Sequence, residues 1–192
     1  MSRTGRSWRR RWARAAAVGL LVGAGYAGLG VQGEVLAPEA MPGAGSELLV
    51  GRASVIDGDT IELRGERIRL WGIDAPETRQ FCEREGQRWR CGQAAALALD
   101  AWLAGRTVRC EGRDRDRWRR LIAVCRVGGD DLGRWLVRNG HAVAFRRYSL
   151  DYVSDEASAR ADRVGLWQGA FALPWAWRAD GDAAPMITAA AE

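Results

Sequence analysis

Asp59, Asp74 and Glu77 are the residues of this 192-residue sequence whose type and spacing point most directly to chemistry. Carboxylate oxygens gathered in one place are what hard divalent cations such as Ca²⁺ and Mg²⁺ select. A solvated acidic rim is the competing reading, and on spacing alone it is the commoner one. The segment between the acids decides whether they can meet. Asp57-Gly58 and Arg64-Gly65 are turn dipeptides, because Gly adopts positive φ at little cost. Ile61 and Leu63 alternate with Glu62 and Arg64, and Ile68 and Leu70 alternate with Arg67 and Arg69. That period of two predicts strands with one buried face. Pro76 then ends the second strand, since it has no N–H for a ladder. Asp59 opens one strand while Asp74 and Glu77 follow the end of its antiparallel partner. All three acids therefore belong to one end of a β-ribbon.

Other elements must hold that ribbon in place. A strand is expected from Leu48 to Ile56, leading into the hairpin. A polar loop with Cys82, Cys91, Arg79, Arg84, Arg88 and Arg90 follows Pro76. Ala94, Leu97, Ala98, Ala101 and Trp102 then recur at helical spacing, with Gly105 as the stop. Thr107–Glu111 and Leu121–Val127 read as strands separated by the charged stretch Gly112–Arg120. Asp131 is placed to cap a second helix that buries Leu132, Trp135 and Leu136 and ends at Asn139-Gly140. An extended segment, His141 to Phe145, and a third helix, Leu150 to Arg163, complete an α+β pattern.

Composition constrains the rest. The formal net charge is +5, but Arg3, Arg6, Arg9, Arg10, Arg11 and Arg14 supply six positive charges, so residues 15–192 come out near −1. Any anionic partner must therefore be held by local arginine clusters. Lysine is absent, which leaves every cationic contact to the bidentate guanidinium. Residues 1–14 are basic, and the uncharged run Ala15–Val31 makes 1–31 a signal peptide or membrane anchor. Export to the periplasm or beyond, or anchoring with the domain facing outward, is the expectation. Residues 32–46, with two Pro and two Gly between Pro38 and Ser46, read as a linker, 47–177 as the domain, and 178–192 as a loosely ordered tail. Four cysteines in an exported chain allow three disulfide pairings. Cys82–Cys91, closing the arginine-rich loop, and Cys110–Cys125, joining neighbouring strands, are favoured. Zinc is disfavoured by the absence of Cys-x-x-Cys and by a single histidine, His141, which reads as structural.

Asp57-Gly58-Asp59-Thr60, followed by Arg69-Leu70-Trp71-Gly72-Ile73-Asp74-Ala75-Pro76-Glu77 and by Asp116-Arg117-Trp118-Arg119-Arg120-Leu121-Ile122-Ala123, resembles the signature of the staphylococcal nuclease family. The likeness runs from about Glu47 to Trp167. It implies a five-stranded OB-fold barrel packed with three helices. It also implies Ca²⁺-dependent hydrolysis of DNA and RNA by a monomer, with little sequence preference and leaving 3′-phosphate ends. Single-stranded nucleic acid would be the substrate. By the same resemblance, Asp59, Asp74 and the Ala75 carbonyl would bind Ca²⁺, Glu77 would act as general base, and Arg69 and Arg120 would hold the scissile phosphate. Arg117 and Trp118 would contact a terminal phosphate and nucleotide. Asp57 matches an acid near the metal. Trp118, Phe145 and Tyr148 are candidates for base stacking, though aromatic residues beside strands are more often core. Relatives place Gly where Arg119 stands, so a turn requiring positive φ would be strained here. A non-catalytic nucleic-acid- or protein-binding module on the same fold is the rival reading; the full set of acids and arginines weighs against it.

Overall fold

The computed structural model describes residues 47–190; the expected leader, 1–31, the expected linker, 32–46, and the last two residues lie outside it. Five strands form a barrel: β1 (Leu48–Val55), β2 (Thr60–Leu63), β3 (Glu66–Leu70), β4 (Thr107–Arg115) and β5 (Leu121–Val127). Their order is β3-β2-β1-β4-β5, and a parallel pairing of β3 with β5 closes the ring. The alternation read in the hairpin is what seals the interior: Ile61, Leu63, Ile68 and Leu70 are buried. Arg64 and Gly65 both take positive φ (55° and 80°), as a tight hairpin turn with the strands' own twist requires. With its helices the barrel is an α+β OB-fold. Cys110 and Cys125 face each other across β4 and β5 and are disulfide-bonded. A loop of that size contributes roughly 3 kcal/mol in the chain-entropy account.

Helix α1 (Cys91–Leu103) buries Ala95, Leu99 and Leu103, not the expected Ala94, Leu97, Ala98, Ala101 and Trp102; Leu97 is 61% exposed. In an Ala- and Leu-rich run several faces have helical spacing, and periodicity alone does not select one. The helix start selects it. Cys91 is tied to Cys82, and a Cβ on Gly92 would lie 1.8 Å from the Glu77 carbonyl oxygen, so only Gly permits this approach. Trp102, partly buried, does pack against the barrel core and stacks on Trp135, ring centroids 4.7 Å apart.

Helix α2 (Leu132–Arg138) is capped as expected, the Asp131 side chain accepting from the Arg134 N–H at 3.0 Å. Helix α3 (Val153–Ala161) is shorter than expected at both ends. Two regions depart further from the sequence reading. The polar loop after Pro76 contains a small hairpin, Cys82–Arg84 with Gln87–Trp89, turning at Glu85-Gly86. The C-terminal segment, expected to be loose from Arg178, forms helix α4 (Pro174–Asp180). It continues through a 3₁₀ turn into Met186–Ile187, which pairs with Phe171–Ala172. A second small core of Cys82, Cys91, Val143, Leu166, Trp167 and Phe171 lies under the hairpin. Among the described residues no helix is long and apolar enough to cross a membrane.

Candidate active site

The site is assembled at one end of the β2–β3 ribbon. Asp59 lies just before β2, where its backbone N–H donates to the Asp57 carboxylate at 3.0 Å. Beyond β3 the chain turns at Trp71-Gly72, and Ile73–Asp74 pairs with Val143–Ala144. This two-residue ladder, where the sequence suggested only an end of strand, pins Asp74. Next comes a turn in which the Gln80 N–H donates to the Glu77 carbonyl at 2.7 Å. Gln80 is fully buried; its side chain accepts from the Glu77 N–H at 3.2 Å and donates to the Ala172 carbonyl at 2.7 Å. Glu77 is thus carried on a clamped backbone while its side chain reaches the surface.

Arg69 ties the acids together. Its guanidinium donates to Asp59 and, at 2.6 Å, to Asp74. Asp59 is 2% exposed and Asp74 0%. The second oxygen of Asp59 accepts from the Ala75 N–H at 2.7 Å. Burial pushes the Asp59 carboxyl up to about 8; the pull of Arg69 opposes this, and Asp57 and Asp74 add to it. Burial works against the Arg69 charge as well, but Asp59 and Asp74 hold the guanidinium above its ordinary value.

Arg178 of α4 also enters this cluster, a residue that sequence reasoning missed. It donates to both oxygens of Asp74, at 3.1 and 2.6 Å, and to Glu77 at 2.8 Å. These two acids hold its guanidinium above the usual value against the effect of burial. The available signal was faint: Pro174 opening Trp175-Ala-Trp-Arg178 suits a helix with Pro in its first turn. Nothing in the sequence aims that helix at Asp74.

Arg117, Trp118 and Arg120 form a separate group in the turn between β4 and β5. The Asp116 carboxylate accepts from the N–H groups of Trp118 and Arg120, both at 2.9 Å, and from the Arg120 side chain at 2.7 Å. Although partial burial opposes it, Arg120 holds the Asp116 carboxyl below the usual range. Trp118 is 62% exposed, with the Arg117 guanidinium 3.9 Å from its ring centroid and that of Arg120 at 5.2 Å. Arg119 has φ 67°, the left-handed conformation that favours Gly. Barrel closure connects the two groups: Arg69 pairs with Ile122, two residues beyond Arg120. Phe145 stacks on Trp175 at 5.3 Å and meets Tyr148, itself exposed, at 5.0 Å.

The chain matches the family described as staphylococcal nuclease homologues over residues 67–169, more than half its length, and belongs to it. Arg69, Asp74, Glu77 and Arg117–Arg120 fall within the matched segment, while Asp57 and Asp59 precede it. The chain is 44% identical over 127 residues to the succinoglycan biosynthesis protein ExoI of Rhizobium meliloti, covering 64% of this chain and 66% of that one. It is 36% identical over 132 residues to an uncharacterized endonuclease of Escherichia coli O157:H7, covering 65% and 80%. It is also 30% identical over 125 residues to the probable staphylococcal-like nuclease CAN2 of Oryza sativa, covering 64% of this chain and 32% of that protein.

Proposed function

We propose that the protein is an exported, Ca²⁺-dependent nuclease that hydrolyses DNA and RNA with little sequence preference and leaves 3′-phosphate ends. The observation that carries this reading is the convergence of Asp59 and Asp74 on the Arg69 guanidinium, with Glu77 next to Asp74, at one end of the barrel. In this scheme Glu77 takes a proton from water, whose oxygen bonds to phosphorus as the bond to the 5′-oxygen breaks. The departing 5′-oxygen takes up a proton from solvent. Arg69 and Arg120 offer donors to the phosphate oxygens, where negative charge grows in the transition state. A carboxylate base of this kind contributes typically ~10²–10⁴ in rate.

Among the described residues, no group of three or more His, Cys, Asp or Glu side chains is arranged to hold a metal ion. The smaller set of Asp59, Asp74 and the Ala75 carbonyl nonetheless fits a hard cation, since all its donors are oxygens. Bound there, Ca²⁺ would supply positive charge beside the scissile phosphate. The two disulfides support an oxidising compartment and therefore export.

The engagement of both Asp74 oxygens by Arg178 favours a second reading, a nucleic-acid-binding module without catalysis. Release of acid-soluble nucleotides from single-stranded DNA and RNA separates the two, measured with Ca²⁺, with chelator, and for Glu77→Gln. The nuclease reading expects Ca²⁺-dependent release that falls at least about 100-fold in the variant. Binding without release from either polymer would establish the module.

A further inference from the structure

Immediately after Glu77 the chain forms one wall of a cavity of about 340 Å³, lined by Thr78, Arg79, Phe81, Arg90 and Gln93. No acidic residue lines it. The Arg88 and Arg90 guanidinium groups lie 4.6 and 5.6 Å from the centroid of the Phe81 ring. A guanidinium held by its face against an aromatic ring keeps its edge donors for a ligand in the ring's surroundings. Among the described residues Arg79 and Arg90 join no ion pair, and Arg88 has only an exposed 3.7 Å pairing with Asp182. These charges therefore contrast with the arginines at Asp59, Asp74 and Asp116, which are already matched by acids.

The backbone that carries these side chains is held in place. Arg79 sits in the turn clamped by buried Gln80, and the Cys82–Cys91 disulfide fastens the hairpin to the start of α1. Fixing the backbone beneath the donors removes part of the ordering cost of binding. The volume suits one nucleotide. Two arginines and an aromatic ring match the anionic backbone of a single strand, with Thr78 and Gln93 adding neutral hydrogen-bonding groups.

We propose that this cavity is a nucleotide subsite, in which Arg79 and Arg90 hold a phosphate of the strand next to the bond being cut. The proposal rests on the nuclease reading, because adjacency to Glu77 is what places the cavity beside the scissile phosphate. It differs from the Arg117–Trp118 turn in position and in residues.

The test is fluorescence anisotropy of a labelled single-stranded DNA decamer bound by the full chain carrying Glu77→Gln, in chelator and across a salt series. Adding Arg79→Gln and Arg90→Gln together is expected to weaken binding about tenfold or more. It should also lower the slope of log affinity against log salt by about 0.7, the share of the one single-strand phosphate that is no longer neutralised. Arg138→Gln, on a different surface, serves as the charge control. With Glu77 restored, the double variant should show an increased KM on the same decamer. Unchanged affinity and slope in the double variant, with its thermal unfolding also unchanged, would overturn the subsite. Tight arginine-dependent binding without any cleavage by the parent would overturn the nuclease reading and leave a phosphate-binding cavity standing. Cleavage with no change of KM would do the reverse, and a parent that neither binds nor cuts would remove both.

Discussion

Two arginine-rich regions of this molecule handle charge in opposite ways. At the end of the β2–β3 ribbon, Asp59 and Asp74 are withdrawn from water, and Arg69 and Arg178 are bound to them. In the turn between β4 and β5, Arg117 and Trp118 are exposed, and a single aspartate organises the backbone. Burial gives the first region fixed geometry and makes each charge depend on its partners. Exposure gives the second freedom to meet a ligand, at the cost of screening by solvent. The difference separates holding reactive groups from gripping a substrate.

The largest expected effect comes from breaking the buried region. Asp74→Ala leaves Arg69 and Arg178 without their shared acid, and removing one partner from a buried pair typically costs about 3–5 kcal/mol. Urea unfolding should show that loss; a change below about 1 kcal/mol would show that the cluster is far better solvated than its burial indicates. Arg178→Ala sharpens the contrast, because it frees one Asp74 oxygen for other ligands and leaves the other to Arg69 alone. Each charge-assisted bond is worth about 1.5–3 kcal/mol. Titration calorimetry without nucleic acid should therefore show Ca²⁺ binding about tenfold or more tighter than in the parent. Weaker binding would mean that Arg178 positions the acids for the metal and does not compete with it. The smallest effect belongs to the exposed turn. Arg119→Gly relieves a left-handed residue whose strain is of order 1 kcal/mol, and should raise stability by about that amount. A loss of stability in thermal unfolding would indicate that the Arg119 side chain makes compensating contacts.

The ribbon was legible because its information is local. Ile61, Leu63, Ile68 and Leu70 fix which face is buried, and the register carrying Asp59 toward Asp74 follows from the Arg64-Gly65 turn. The positive φ at Arg119 was legible only through the family resemblance, because relatives place Gly there and that marks a backbone requirement. The face of α1 was not, because Ala and Leu satisfy several phases and the choice is made by Gly92 against Glu77. Arg178 was hidden by distance: its bond to Asp74 spans 104 positions, and an Ala- and Asp-rich segment gives no periodic sign of docking. The hairpin after Pro76 lacked alternation, and its single Glu85-Gly86 turn lay within a run of charges that reads as loop.

Closure of the barrel by β3 and β5 also imposes a chronology. The β2–β3 hairpin joins residues a few positions apart, and pairings of that kind form in microseconds. Arg69 meets Ile122 only after more than fifty intervening residues have been organised, and Arg178 reaches Asp74 from farther still. Pairings of such separation carry the larger loop-closure cost and set the pace of folding. As the chain emerges amino end first, the acids are laid down early and their second guanidinium arrives last. A nascent chain therefore carries an acidic, unfinished centre until its C-terminal helix has docked.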